Sequence, residues 1–116
     1  MNIIDEGEQL IDENFSWVTD IQEKYFLTIL NILTNEHFDQ SKFALYPTEQ
    51  KELCINLSSK SPRQTFELLI DQDADIFMLY LSDTGEYTKT IYSDLFTDET
   101  IAWYLFKYYI KIIAEL

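Results

Sequence analysis

Read as a pattern of apolar and polar positions, the chain divides into a helical first third and a strand-rich remainder closed by another helix. Leu10, Ile11, Phe15, Val18, Ile21, Tyr25, Ile29, Ile32 and Leu33 recur at helical spacing. Thr19 with Gln22 three positions on forms a capping-box pattern, which predicts a helix from Asp20 to Thr34 ending at Asn35. The turns before it read as a short separate helix or as the same helix begun earlier. Phe38, Phe43, Leu45 and Tyr46 tuck a connecting loop or short strand onto the core. After Pro47 two patterns compete. Pro followed by Glu-Gln-Lys-Glu-Leu favours a helix start, whereas Leu53, Ile55 and Leu57 alternate as a strand does. The alternation is preferred, so Leu53–Leu57 is read as a strand, and residues 58–63, Ser-Ser-Lys-Ser-Pro-Arg, as a loop.

Three further strands are expected at Thr65–Ile70, Asp75–Leu81 and Tyr87–Tyr92. The second of them, and Leu69 in the first, place apolar residues on both faces, which predicts central strands covered on each side. Polar turns at 71–75 and 82–86 join these runs into an antiparallel meander, with Gly85 suited to a left-handed position. A final helix, Asp98–Glu115, is capped by Thr97, and Asp98 and Glu99 complement its dipole. Ile101, Trp103, Tyr104, Leu105, Phe106, Tyr108, Tyr109, Ile110, Ile112 and Ile113 make that helix apolar over most of its circumference. Lys107, Lys111 and Glu115 leave one narrow polar stripe, so the helix is expected at the centre of the core. The fold class is therefore α+β: an antiparallel meander of three to four strands packed with an N-terminal helical segment and a long C-terminal helix. A single domain, 1–116, is expected.

Composition supports a real core, with 47% hydrophobic and 16% aromatic residues in 116. The lone Cys54 and the single His37 provide neither a disulfide nor a zinc site, which fits a reducing, cytoplasmic setting. The first residues lack the basic and apolar regions of a signal peptide, and no apolar run is long enough to span a bilayer. Charge changes the picture most. Twenty-one acidic residues against eight basic ones give −13, a field that repels nucleic acids and anionic membranes and attracts basic proteins. Between Asp5 and Glu23 there are seven acids and no base.

Candidate chemistry is thin. Asp71, Asp73 and Asp75 have the spacing that opens a calcium loop, but Ile76 stands where Gly is needed and Ser82 where Glu is needed. An acidic turn is the preferred reading, with no metal or other cofactor. Glu49-Gln50-Lys51 with Asp39 upstream loosely matches the acid–acid–lysine set of metal-dependent nucleases, but the net charge opposes the cationic track such an enzyme needs. Cys54 lies in an apolar alternation and reads as a buried small hydrophobe rather than a partner for His37. Two glycines supply no phosphate-binding loop. No catalytic residue is assigned.

In size, charge, expected cytosolic setting and absence of catalytic motifs the chain resembles the small immunity proteins of bacterial toxin systems. That resemblance implies a non-catalytic inhibitor of a cognate basic toxin, often a nuclease. The hairpin-tip acids Asp71, Asp73, Asp75, Asp83 and Glu86 would then meet lysines and arginines of the toxin. Asp12, Glu13, Asp20 and Glu23 form a second candidate face, with Trp17, Tyr104 and Tyr108 as aromatic anchors. Two alternatives stand beside it. One is a nucleic-acid mimic of the anti-restriction or anti-CRISPR type, which would spread carboxylates along an elongated surface. The other is a small structural or adaptor protein that dimerises through the last helix.

Overall fold

A computed structural model describes residues 2–35, 43–60, 63–95, 97 and 99–101. Two helices come first, α1 (Ile3–Glu13) and α2 (Asp20–Asn35), followed by β1 (Phe43–Pro47), β2 (Leu53–Lys60), β3 (Arg63–Ile70), β4 (Ile76–Ser82) and β5 (Gly85–Ile91). A short 3-10 turn, Ser93–Leu95, follows the last strand. The strands form one sheet in the order β1-β2-β3-β4-β5, antiparallel throughout. The α+β meander expected from the pattern is present, with five strands instead of three to four.

The added strand is β1, where the choice between loop and strand resolves. Phe43 and Leu45 stand opposite Leu57 and Ile55, so the alternation of β2 selects its own partner. The expected loop at 58–63 shrinks as well, because β2 extends to Lys60, directly opposite Arg63. Loop-like composition there yields to the register already set by Leu53, Ile55 and Leu57 against Ile70, Leu68 and Phe66.

One face of the sheet, carrying Leu53, Ile55, Leu57, Phe66, Leu68, Ile70, Ile76 and Met78, joins α1 and α2 in a single buried core. On α2 the inward stripe is Gln22, Phe26, Ile29, Leu30 and Leu33. It is rotated from the expected one, for Ile21 is exposed while Tyr25 and Ile32 are half-buried. Helical spacing alone cannot distinguish two overlapping apolar stripes; the sheet selects the one with Phe26 and Leu30. α1 is a separate helix that packs on α2 and on the edge strand β1. Gly7 makes the close approach, since a Cβ there would lie 2.5 Å from Leu30 Cδ1. The other face of the sheet bears Cys54, Glu67, Leu69, Phe77, Leu79 and Leu81. Cys54 is buried, Leu69, Phe77 and Leu79 are half-buried, and Leu81 is exposed.

The turn joining β4 to β5 is the two residues Asp83 and Thr84, and Gly85 pairs with Ser82 at its base. Its φ of 157° is open to glycine, though it is not the left-handed helical conformation expected there. The cap predicted for the last helix is present. Thr97 accepts from Thr100 N at its hydroxyl (3.2 Å) and from Ile101 N at its carbonyl (3.1 Å). Ile101 is fully buried in the core. The rest of that helix, with its proposed central position, lies outside the described residues. Among the described residues no helix is long and apolar enough to cross a membrane.

Candidate binding surface

Antiparallel alternation puts the β1–β2 turn, the β3–β4 turn and the segment after β5 at one end of the sheet. The start of α2 is bound to that same end by one buried side chain. Gln22 is fully buried, and its amide nitrogen donates to the carbonyls of Lys51 (3.0 Å) and Ile70 (2.9 Å). Its amide oxygen accepts from Thr19 N (3.2 Å), while Gln22 N donates to the Thr19 hydroxyl (3.2 Å), which completes the capping box read from the sequence. The box therefore does more than start a helix. It ties α2 to the β1–β2 turn and to the end of β3.

A second tie lies beside it. The Thr19 hydroxyl donates to the carbonyl of Gln72 (2.5 Å), and the Gln72 side chain donates to the carbonyl of Trp17 (2.8 Å). The α1–α2 corner thus sits against the β3–β4 turn. That turn is built by Asp71, whose Oδ1 accepts from Asp73 N (3.0 Å) and Asp75 N (2.9 Å). Ala74 takes the left-handed conformation with φ 63° that closes it. Asp75 Oδ1 accepts from Ser93 N (2.7 Å), which fastens the segment after β5 to the same place. In the β1–β2 turn, Glu52 N donates to the Thr48 hydroxyl, that hydroxyl donates to Glu52 Oε1, and Lys51 has φ 62°.

These bonds collect acids from four segments at one pole. Asp20 and Glu23 come from the first turns of α2, Glu49 and Glu52 from the β1–β2 turn, Asp71, Asp73 and Asp75 from the β3–β4 turn, and Asp94 from the turn after β5. Asp12 and Glu13 end α1 just before the corner that Gln72 holds. Two bases, Lys51 and Lys24, accompany them on these segments. Lys60 and Arg63 end and begin their strands at the far end of the sheet. Carboxylates drawn together in this way project a focused negative field, stronger toward a partner than the same charges spread evenly.

Not all of the predicted acids join this pole. Asp83, in the β4–β5 turn, and Glu86, opposite Leu81 on β5, lie at the other end of β4 from Asp71–Asp75, roughly 20 Å away for a strand of this length at about 3.3 Å per residue. The five hairpin-tip acids are therefore two groups, and Asp12, Glu13, Asp20 and Glu23 belong with the first. Trp17 is half-buried and packs against the core. The exposed aromatic at this corner is Phe15, which the helical spacing had placed on a buried stripe; it falls between the two helices and is 78% exposed. Its signal in the sequence is its place immediately after Asn14, the residue that caps α1. Tyr104 and Tyr108, and with them the dimer through the last helix, lie outside the described residues.

The other chemical candidates are placed as follows. Carboxylate oxygens of Asp71, Asp73 and Asp75 come within 4.8 Å of one another. Oxygens of Asp71 and Asp75 hold backbone N–H groups, so the cluster acts as the scaffold of its own turn. Cys54 is fully buried, and burial raises its thiol pKa to about 11. The nearby carboxylates of Glu67 and Glu52 push it the same way, while its side-chain hydrogen-bond contact with Tyr46 opposes them. Such a thiol is a poor nucleophile. Tyr46 in turn donates to Glu67 Oε1 (2.9 Å), which also accepts from the Asn56 side chain (3.0 Å). Burial, followed by the hydrogen bonds to Cys54 and Glu67, raises the Tyr46 phenol well above its usual range. His37 and Asp39, and with them the Cys–His pair and the nuclease-like set, lie outside the described residues. Comparison with protein-family models, with curated proteins and with solved structures finds no match for this chain.

Proposed function

We propose that the protein is a non-catalytic inhibitor that docks a basic protein through its acidic pole, in the manner of a bacterial immunity protein neutralising a cognate toxin. The observation that carries this reading is the convergence of acids from four chain segments at one end of the sheet, held by Gln22 and the Thr19–Gln72 bonds. A merely soluble protein gains as much from acids spread over its surface. Carboxylates fixed on hydrogen-bonded turns are preorganised, so a partner meets them without first ordering the chain. Opposite potentials then speed encounter and reject wrong partners. A mimic of nucleic acid would lay its carboxylates along an elongated surface, whereas here acids from the end of α1, the start of α2, two turns and the segment after β5 meet at one end of a body of 38 × 32 × 27 Å. Docking of a protein is favoured for that reason.

Capture of tagged protein from its native lysate at low and moderate salt, read by mass spectrometry and followed by binding of the purified partner, tests the proposal. One basic protein should be recovered, more weakly at the higher salt, and its activity should fall on addition of this chain. Recovery of the chain alone, with a dimer by light scattering, would leave the structural reading in its place.

A further inference from the structure

The geometry points to Phe15 as the apolar anchor of the docking surface, and hence to a partner whose basic site surrounds an apolar cleft. This rests on the acidic-pole reading above and gives its partner a second chemical requirement. Single exposed apolar residues are ordinary on protein surfaces, but Phe15 differs in how it is held. It follows Asn14, whose side chain donates to the carbonyl of Leu10 (2.8 Å) and whose own carbonyl accepts from Trp17 N and Val18 N (both 3.1 Å). Two residues on, Trp17 is half-buried against the core, and its carbonyl is held by Gln72. The backbone on either side is held by hydrogen bonds, yet Phe15 is 78% exposed. A large aromatic group displayed on a rigid corner binds at little cost in conformational freedom.

Charge selects the occupant. Phe15 lies inside the stretch from Asp5 to Glu23 that holds seven acids and no base. A second copy approaching this corner would bring the same acids against themselves, so self-association through Phe15 is opposed. Nucleic acid and anionic lipid are opposed by the same field. What fits is a protein cleft that accepts an aromatic ring and carries lysine or arginine at its rim. The division of labour follows from the physics of interfaces. A buried central aromatic sets the dissociation rate, and rim charges set the association rate.

The test compares wild type with Phe15→Ala, Phe15→Trp and the double variant Asp20→Lys/Glu23→Lys. The basic protein captured by wild type is purified, and its kinetics are measured by surface plasmon resonance. Phe15→Ala should keep the wild-type unfolding midpoint and association rate while weakening binding by about 30-fold or more through faster dissociation. Phe15→Trp should retain most of the affinity. The double charge variant should instead slow association and flatten its salt dependence. If Phe15→Ala binds as wild type does while charge reversal weakens binding, the anchor is refuted and the acidic pole survives. If charge reversal is also silent, or if wild type captures no basic protein, both inferences fall.

Discussion

Replacing Gln22 by leucine probes the assembly of the pole at its centre. Leucine keeps most of the side-chain volume but removes three hydrogen bonds, two to the carbonyls of Lys51 and Ile70 and one from Thr19 N. At about 1 kcal/mol net for each such bond, the loss is roughly 3 kcal/mol, and carbonyls left dry and unpaired would raise it. Domains of this kind hold a margin of about 5–15 kcal/mol, so the variant should still fold. Urea unfolding followed by circular dichroism measures the effect. With a slope of about 1.5 kcal/mol/M, the midpoint should fall by roughly 2 M at unchanged slope. Hydrogen exchange should speed up first in the turns at 48–52 and 71–75, which lose a shared tether. A midpoint shift under about 0.5 M would mean that water or neighbouring groups replace the amide, and Gln22 would not be what joins these segments.

Three smaller predictions follow from single sites. Lys51 is exposed at φ 62°, so Lys51→Gly should relieve a left-handed conformation and raise stability by about 0.5–1 kcal/mol in the same unfolding assay. Gly7→Val adds bulk where even one carbon would lie 2.5 Å from the fully buried Leu30, and should cost roughly 2–3 kcal/mol by thermal or urea unfolding. Native Cys54 should resist a thiol reagent at neutral pH and react at the rate of an exposed thiol once unfolded. The folded thiol titrates near pH 11, above its ordinary 9.0, so its contribution to stability is fully present below pH 9 and is lost as pH rises toward 11. Cys54→Ala should remove that part of the alkaline loss.

Much of this fold was legible from local pattern, and the reasons differ by element. Thr19 and Gln22 announced the start of α2 because a capping box is a contact between residues three apart. β3 was legible because Phe66, Leu68 and Ile70 alternate with Thr65 and Glu67, and β4 because the apolar run Ile76–Leu81 lies between two polar turns. β1 was ambiguous on its own, since five residues specify a strand only when β2 supplies a partner. The two bonds from Gln22 to Lys51 and Ile70, 29 and 48 positions away, left no trace in local spacing. Phe15 misled because it keeps helical spacing across a corner where the helix has ended. The separation of Asp71–Asp75 from Asp83 and Glu86 was available in principle, for successive turns of a meander fall at opposite ends of their shared strand.

The central claim is that binding is steered by the pole and not by net charge. Two charge-reversed variants, matched in the number of charges changed, separate these ideas. Asp20→Lys/Asp73→Lys alters the pole, and Asp83→Lys/Glu86→Lys alters the far end of β4 by the same amount. The association rate of each with the captured basic partner, measured across a salt series, is the direct comparison. The account predicts a loss of about tenfold or more at low salt for the pole variant and near-wild-type association for the other. Equal losses in both would show that total charge alone drives encounter, and would contradict it.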